Sequence, residues 1–400
     1  SKFMTKVFVT GMGVISSIGK DIKKNSESLR NGNSGINKPK FFQSKYASSF
    51  FFGEVNISNR SLKEQLGLSE EKGLTRTDLF AFKAFDEAIN DAKLSKEEIS
   101  SFDTALISAS TVGGMCLTDQ LYEDANLKSE SSEYLASYGC SAHTLRLIKK
   151  YNIKGFTNTI NTACSSSANA IMFGSRLIKS GRVKRAIVGG TDSLAKYTVN
   201  GFNALKILSE SPCKPFDEHR CGLTLGEGAA YLVLESEEVV SNKNTYARVS
   251  GYGNANDAFH TSTISDNAVG VISAISQALK SANLDPNKID YINTHGTGTE
   301  NNDFVELTGL SKIFNKIPPY NSTKSYTGHT LGAAGAIESI FSILSIINNE
   351  LYPSLNINTP ISQFNLSPVK KYETGVDINY VLSNSFGFGG NCTSLIFSKY

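Results

Sequence analysis

The sequence predicts a layered α/β fold built from two related halves. Three observations support this prediction: the chain length, the alternation of strand-like and helical stretches, and two helices that follow reactive side chains in a similar way. With 400 residues, the chain is longer than one hydrophobic core usually supports, so two cores or a duplicated unit are expected. Strands that alternate with helices are typical of α/β layers.

Short runs rich in β-branched and aliphatic residues predict the strands. In chain order they cover residues 6–10, 104–110, 186–188, 230–234, 289–293, 380–383 and 394–397. Helical stretches lie between many of them, at residues 79–92, 168–179 and 271–282.

Two further features suggest a duplication. After Cys164, the stretch SSSANAIMFGSRLIKSG has serines where an N-cap would lie and Gly181 where a helix would end. After His329, the stretch LGAAGAIESIFSILSIINN is apolar on nearly every side, which predicts a helix buried all round. Each helix is preceded by a short polar segment and followed by a strand-like run. We therefore expect an N-terminal half over residues 1–240 and a C-terminal half over residues 241–400.

Composition excludes several classes of protein. A net charge of +3, without a basic tract interleaved with aromatic residues, argues against nucleic-acid binding. No apolar run approaches the roughly 20 residues that span a bilayer, and the N-terminus lacks a long apolar signal core, so we expect a cytoplasmic protein without a membrane span. The cysteines form no C-x-x-C pair and are scattered, which predicts free thiols rather than disulfides or a metal site.

The segment VTGMGVISSI contains Gly11 and Gly13, which resemble the start of a dinucleotide-binding fingerprint. Ser16 stands where the third glycine would be, and no acidic ribose partner is evident. We therefore expect a tight turn after the first strand at this point, without a nicotinamide cofactor.

Three side chains are candidates for chemistry. Cys164 lies at a predicted helix start, where the helix dipole would lower the pKa of its thiol; the alternative is a small buried apolar residue. His295 follows a strand-like run, and His329 precedes the apolar helix. A neutral imidazole there could donate a hydrogen bond from Nε2 to an oxyanion, whereas the alternative for either histidine is a structural role.

Two charged residues flank His329. Lys324 lies five residues before it and is either a site residue or a solvated surface lysine. Glu338 lies in the apolar helix, where a lone buried carboxylate is costly, so we expect it to have a hydrogen-bond or ion-pair partner. Near the C-terminus, Phe386 and Phe388 alternate with glycines in SNSFGFGGN, which predicts either a mobile ligand-facing loop or a plain corner between strands.

Six motifs in order resemble one family over nearly the whole chain. They are VTGMGVISSIG, NTACSSS, PFDEHRCGLTLGEGAA, YINTHGTGTENND, NSTKSYTGHTLGAAGAIES and NSFGFGG. Together they are similar to the elongating β-ketoacyl–acyl carrier protein synthases of the thiolase superfamily. The resemblance implies a thiolase-like duplicated five-layer α/β/α/β/α sandwich and an acyltransferase that works by decarboxylative condensation, in fatty acid or polyene and polyketide chain elongation.

The resemblance also implies a role for each matching residue. Cys164 would accept the acyl chain, while His295 and His329 would bind the malonyl thioester carbonyl and stabilise the enolate. Lys324 would support these three residues, and the backbone N–H of Phe388 would join that of Cys164 in an oxyanion hole.

Other matching residues would bind substrate and partner or support the site. Thr297, Thr299 and Gly389 would contact the substrate arm, and Lys214 and Arg76 would meet the acidic carrier protein. Polar residues behind the site would be Glu338, Asn293, Ser383 and Asn384, which hold a monovalent cation in some members, and the structural acidic pair Asp303 and Glu306. No other metal and no redox cofactor are implied.

The family's members are dimers, so a homodimer is expected, with a heterodimer containing a ketosynthase-like subunit as the alternative. Asn391-Cys392 stands where the family commonly has Thr-Asn, and several motifs resemble aryl polyene or flexirubin pigment enzymes more than housekeeping ones. Two other functions remain open: a non-catalytic partner subunit that sets chain length, and a degradative thiolase, which would need a second cysteine such as Cys392. We expect residues 112–115 near the dimer seam to line the acyl tunnel.

Overall fold

A computed structural model describes residues 5–240, 243–260 and 263–400 of the chain. Within these ranges the strands are β1 (Val7–Ser16), β2 (Phe52–Gly53), β3 (Thr104–Ala109), β4 (Thr157–Ile160), β5 (Arg185–Asp192), β6 (Leu225–Gly226), β7 (Gly228–Ser236), β8 (Ala247–Asn256), β9 (Tyr291–Asn293), β10 (Tyr320–Asn321), β11 (Glu350–Leu351), β12 (Glu373–Thr374), β13 (Tyr380–Phe386) and β14 (Asn391–Ser398).

The α-helices of the same ranges lie mainly between these strands. They are α1 (Ile22–Asn31), α2 (Asn59–Gln65), α3 (Arg76–Asp91), α4 (Lys96–Ser100), α5 (Thr118–Leu127), α6 (Ala142–Tyr151), α7 (Ser166–Lys179), α8 (Lys196–Ala204), α9 (Val269–Ala282), α10 (Glu300–Ile313), α11 (Lys324–Thr327) and α12 (Ala334–Asn348).

The main sheet reveals the internal repeat. Its order is β10-β9-β13-β14-β8-β1-β7-β5-β3-β4. Starting from the middle, β1-β7-β5-β3-β4 and β8-β14-β13-β9-β10 have the same sequence of two antiparallel pairings followed by two parallel pairings. The halves meet through a short antiparallel pairing of β1 with β8, at Phe8–Arg248 and Val9–Ala247. The duplication suggested by the two helices is therefore visible in the topology.

The two halves of the sheet and three layers of helices form five layers, with apolar clusters between them. The central cluster joins α7 and α12 to residues from both halves of the sheet. A second cluster packs α3 on the outer face of the N-terminal strands, and a third packs α9 and α10 on the outer face of the C-terminal strands. Both faces of each half of the sheet are thus largely covered, which explains why β1, β5 and β7 are buried almost throughout.

All seven predicted strands exist, but three members of the main sheet were not predicted. These are β4, β8 and β10, which are polar, glycine-containing or only two residues long. The expected boundary between the halves, at residues 240 and 241, adjoins residues outside the described ones and stays a prediction.

The turn expected at Gly11 and Gly13 is wrong. Both glycines lie inside β1, which continues to Ser16. A Cβ atom at Gly11 would collide with the backbone of Ala88, and one at Gly13 with that of Ala84, both in α3. The glycines allow a helix to pack closely on the strand.

The prediction about apolar runs also needs correction. Residues Leu331–Asn348 are long and apolar enough to cross a membrane, yet 89% of this window is buried inside the protein. The segment begins with a 3₁₀ turn and continues as α12, and its neighbours are α7 and strands of both halves. It is the central core helix that the sequence predicts to be buried all round.

Candidate active site

Cys164 lies in the turn between β4 and α7. Ala163, before it, has a left-handed backbone with φ of 56°, and Ser165, after it, is the N-cap of α7. The Oγ atom of Ser166 accepts a hydrogen bond of 2.9 Å from the backbone N–H of Thr162, which closes the turn. The cysteine therefore precedes the helix instead of lying in its first turn, and its side chain is 5% exposed at the end of a cleft.

The expected low pKa of the Cys164 thiol is wrong. Burial raises it to about 12, because the thiolate loses its hydration. The Lys324 cation and the backbone N–H of Phe388 act in the opposite direction but do not outweigh burial. The free enzyme therefore holds the sulfur as a thiol.

His295 follows β9, and its position is set by an acidic side chain and a lysine. Oxygens of Glu306 accept the backbone N–H groups of His295 and Gly296, each at 2.9 Å. The ammonium group of Lys324 lies 2.7 Å from the carbonyl oxygen of His295 and 3.3 Å from its Nδ1. Because an ammonium group only donates, Nδ1 accepts and Nε2 carries the proton.

His329 has the same tautomer for a different reason. The backbone N–H of Leu331 donates to its Nδ1 at 3.2 Å, which again leaves the proton on Nε2. Its backbone is fixed by hydrogen bonds to Thr224 and Gly226. Burial, with the neighbouring Lys324 cation, holds the pKa of both His329 and His295 well below the usual range, so both rings are neutral.

The three candidate residues share one cleft. Its volume is about 660 Å³, and Cys164, His295, His329 and Phe388 are among its lining residues. The two imidazole rings are 5.4 Å apart between centroids and almost perpendicular. One sulfur and two neutral N–H donors therefore converge on a single space.

Lys324 is fully buried and forms an ion pair with Glu338, at 2.9 and 3.0 Å to the two carboxylate oxygens. This geometry confirms the expected partner for Glu338. Burial raises the pKa of the Glu338 carboxyl to about 7, while the lysine opposes that rise.

Phe388 follows the end of β13 in the glycine-rich loop. Its backbone N–H lies near the sulfur of Cys164 and opposes the rise in the thiol pKa, and its ring packs 5.2 Å from that of Phe202. Gly389 is exposed, with φ of 87°, which permits the tight return into β14. The loop is thus a corner between strands that also brings a backbone amide close to the nucleophile.

At the mouth of the cleft, the hydroxyl groups of Thr297 and Thr299 are 2.8 Å apart, and both residues line the cavity. Lys214 is half-buried near this region. Arg76 forms a 2.7 Å ion pair with the buried Glu227 and donates to the carbonyl oxygens of Ile57 and Val55, which leaves its side chain 13% exposed. Its contact with a carrier protein stays a prediction.

The remaining predicted residues lie behind the histidines. Asp303 accepts the backbone N–H of Phe216 at 2.9 Å, and burial raises the pKa of Glu306 to about 7. Asn384 donates to Glu306 at 3.2 Å and accepts from Ser394 at 2.8 Å. The others are also buried, at Asn293 and Ser383.

Two site residues were missed from the sequence. Asp192, at the end of β5, accepts hydrogen bonds from the backbone N–H groups of Val112 at 2.8 Å and Gly332 at 2.7 Å, so it links the β3 turn to the His329 segment. Asn391, at the start of β14, accepts from Ser165 beside the nucleophile. Each of these residues could have been found from the sequence by the signal that marked His295, which is a polar residue next to glycines at one end of an apolar strand run.

Comparison with known families decides the identity of the fold. Residues 4–239 match the N-terminal domain of beta-ketoacyl synthases, and residues 246–358 match the C-terminal domain. The chain belongs to the beta-ketoacyl synthase family. It is 32% identical over 409 residues to 3-oxoacyl-[acyl-carrier-protein] synthase 2 of Staphylococcus aureus (strain COL), covering 99% of this chain and 98% of that protein. The predicted family and acyltransferase class are confirmed.

Solved structures agree with this assignment. The ishigamide ketosynthase/chain length factor superposes with a TM-score of 0.92 at 27% identity, covering all of both chains. A type II polyketide synthase acyl-carrier protein in complex with its ketosynthase gives a TM-score of 0.89 at 26% identity, again over both full lengths. The predicted thiolase-like α/β sandwich is confirmed for this beta-ketoacyl synthase.

Proposed function

We propose that this synthase loads an acyl chain on Cys164 from an acyl carrier protein and extends it with malonyl carrier protein. One observation carries the proposal: a sulfur and two neutral imidazoles, each with its Nε2–H available, line one cleft. Such donors stabilise an enolate or oxyanion without a strong base.

In the first step, the Cys164 sulfur attacks the acyl thioester carbonyl. A carbon–sulfur bond forms to Cys164, the bond to the pantetheine sulfur breaks, and the thiol proton leaves with the carrier. The backbone N–H groups of Cys164 and Phe388 would bind the oxyanion of this step.

In the second step, malonyl carrier protein enters the same cleft. Its carboxyl carbon–carbon bond breaks, carbon dioxide leaves, and His295 and His329 hold the enolate oxygen. The enolate carbon then attacks the carbonyl carbon of the acyl thioester on Cys164: a carbon–carbon bond forms and the bond to the Cys164 sulfur breaks. The 3-oxoacyl carrier protein leaves, and the sulfur takes up a proton from solvent. No oxidant or reductant is consumed.

The structure gives the alternatives less support. Cys392, the second cysteine that a thiolase would need, is packed in the apolar cluster of the C-terminal half, and its thiol faces the carbonyl oxygen of Gly390. It is absent from the cleft lining formed by the described residues. A non-catalytic partner subunit needs no nucleophile, whereas Cys164 is in place beside both histidines.

Carrier proteins are the proposed partners because the related synthase and ketosynthase are named for them. Thr297 and Thr299 would hydrogen-bond the amide groups of the pantetheine arm, beside exposed Gly389. Lys206 at the mouth and nearby Lys214 would meet acidic side chains of the carrier.

We also propose a cytoplasmic homodimer. Strand β4 ends the main sheet, so one of its edges has no partner among the described residues. Large apolar side chains beside it are exposed, including Leu145 and Phe156 at 62% and 47%. A second copy would cover such an edge; a chain-length subunit, as in the ishigamide protein, is the competing partner.

A monovalent cation behind the histidines is a further part of the proposal. The Oδ1 atom of Asn293 is buried without a hydrogen-bond partner among the described residues, and so is the Oγ atom of Ser385. Oxygens of this kind suit a hard cation, and Glu338, Ser383 and Asn384 are nearby candidates to complete its shell. The ion would supply positive charge there.

Mass spectrometry with carrier-protein thioesters tests the proposed reaction. Wild-type protein is expected to gain an acyl adduct on Cys164 and to form product from malonyl but not acetyl extender. Cys164→Ala should abolish both signals, whereas the matched control Cys392→Ala should retain them. Product formed from acetyl extender would instead support a thiolase, and so would loss of product formation in Cys392→Ala.

The same assay addresses the pathway. Fatty acid, polyene and polyketide elongation share the reaction and differ in acyl length and saturation. The apolar cluster around Val112, Phe202 and Phe388 would line the acyl tunnel. Comparing short, long and polyunsaturated acyl carriers would separate primary metabolism from the pigment-type pathway that the sequence resembles.

A further inference from the structure

The glycine-rich loop lies directly against the nucleophile turn. A Cβ atom at Gly387 would be 2.6 Å from the carbonyl oxygen of Thr162 and 3.3 Å from the backbone nitrogen of Cys164. The backbone N–H of the next residue, Phe388, lies close enough to the sulfur of Cys164 to favour its thiolate form. The relative position of the two backbone amides therefore depends on how these segments are held together.

Asn391 closes the glycine-rich loop and reaches the nucleophile turn. Its carbonyl oxygen accepts the backbone N–H of Gly387 at 2.9 Å. Its side-chain Oδ1 accepts hydrogen bonds from Ser165 at 2.8 Å, Asn169 at 2.9 Å and Asn254 at 2.9 Å. One amide oxygen thus connects the N-cap of α7, the first turn of that helix, and strand β8 of the other half.

The network continues around Asn169. Its Nδ2 donates to the hydroxyl of Thr162 at 2.8 Å, and its Oδ1 accepts from Thr393 at 2.6 Å and from Asn254 at 3.1 Å. Thr162 and Ser165, which flank Cys164 in the turn, also have hydroxyl groups 2.9 Å apart. Partly buried hydrogen-bond networks of this kind rigidify their surroundings.

The next residue does not take part in this network. Cys392 packs in the apolar cluster of the C-terminal half, and its thiol faces the carbonyl oxygen of Gly390.

We propose that Asn391 is a positioning residue that sets the spacing of the Cys164 and Phe388 amides in the oxyanion hole. This inference rests on the proposed function. Acyl transfer to Cys164 and the later attack of the enolate on the Cys164 thioester each form a tetrahedral oxyanion that needs both amides, whereas the enolate formed on decarboxylation is held by His295 and His329. Loss of Asn391 should therefore slow acyl transfer but not decarboxylation.

The test compares two partial reactions in the full-length protein. In Asn391→Ala, acylation of Cys164 by acyl carrier protein should slow by about tenfold or more, with KM nearly unchanged. Release of carbon dioxide from malonyl carrier protein without an acyl primer should stay within about twofold of wild type, because the histidine pair is untouched.

Two variants separate positioning from folding. Asn391→Asp keeps an oxygen acceptor for Ser165 and Asn169, so it should recover most of the acylation lost in the alanine variant. Asn90→Ala, on the exposed face of α3, is the matched control and should behave as wild type. If Asn391→Ala fails to fold, Ser165→Ala removes one arm of the network and should show the same selective loss, in milder form.

The proposal is overturned if Asn391→Ala acylates at the wild-type rate, or if acylation and decarboxylation fall together. Failure of the proposed function would look different, because wild-type protein itself would then form no acyl adduct on Cys164.

Discussion

Lys324 determines the electrostatics of the site at the scale of single residues. Its ammonium group is held by Glu338 and by the carbonyl oxygen of His295, and it lies beside both imidazoles. Burial, assisted by this cation, keeps both rings neutral, and the cation also orients His295 and partly offsets the cost of a thiolate at Cys164. In the resting enzyme, His295 and His329 are therefore neutral hydrogen-bond donors, and the Cys164 sulfur is protonated.

The first prediction concerns the reactivity of Cys164 with pH. Because burial raises the pKa of its thiol to about 12, the rate of alkylation by iodoacetamide should rise about tenfold per pH unit from pH 7 to pH 10. Mass spectrometry of the Cys164 peptide measures this rate, and exposed Cys221 serves as an internal comparison. A plateau below pH 9 would mean that the thiolate is already favoured.

The site residues differ in how far the sequence predicts them. Cys164, His295 and His329 are marked by polar loops next to regular elements and by the family resemblance. The low thiol pKa was wrong because a dipole argument ignores burial, which dominates. Asp192 and Asn391 each lie at one end of an apolar strand run next to glycines, which marks the position but not the partner. The contacts of Asp192 with Gly332 and of Asn391 with Ser165 join segments more than 100 residues apart, so no local pattern reveals those contacts.

At the scale of elements, the two core helices control the geometry of the site. Helices α7 and α12 follow Cys164 and His329, respectively, and cross where Gly335 faces Ala168. A Cβ atom at Gly335 would lie 2.5 Å from the backbone nitrogen of Ala168. The backbone N–H of Ala336 donates to the hydroxyl of Ser167 at 2.8 Å at the same crossing. A change in this crossing would move sulfur and imidazole apart.

The second prediction concerns this crossing. Gly335→Ala should lower the free energy of unfolding by about 1–3 kcal/mol, because the added methyl group meets backbone atoms that cannot move freely. It should also slow acylation and condensation together. Denaturant unfolding, with product assays on the folded protein, measures both effects.

The matched control is Gly201→Ala in helix α8, where an added Cβ meets nothing within 4 Å. Alanine favours a helix over glycine, so this change should raise the free energy of unfolding by about 0.5–1 kcal/mol. An equal response of the two variants would contradict the crossing as the constraint.

The sequence predicts helices and strands correctly where the pattern of apolar residues is strong. This holds for the helices after Cys164 and His329 and for the seven predicted strands. Strands β4, β8 and β10 were missed because pairing with neighbours stabilises them more than their own composition does. The glycines of β1 were misassigned to a turn because the helix that requires them, α3, lies more than 70 residues away in the chain.

At the scale of the whole molecule, the duplication assembles the site. The N-terminal half supplies the nucleophile, and the C-terminal half supplies both imidazoles and the glycine-rich loop. The pairing of β1 with β8 places the halves side by side, and α7 and α12 share the central apolar cluster between them. The reaction needs both halves because neither contains the complete set of groups.

The most direct test of carbon–carbon bond formation is single-turnover condensation by His329→Ala, started from enzyme already acylated on Cys164. We expect the variant still to accept an acyl chain, but to form 3-oxoacyl product at least about 100-fold more slowly than wild type, because one donor to the enolate is missing. A condensation rate equal to that of wild type would contradict the role given to the two neutral imidazoles.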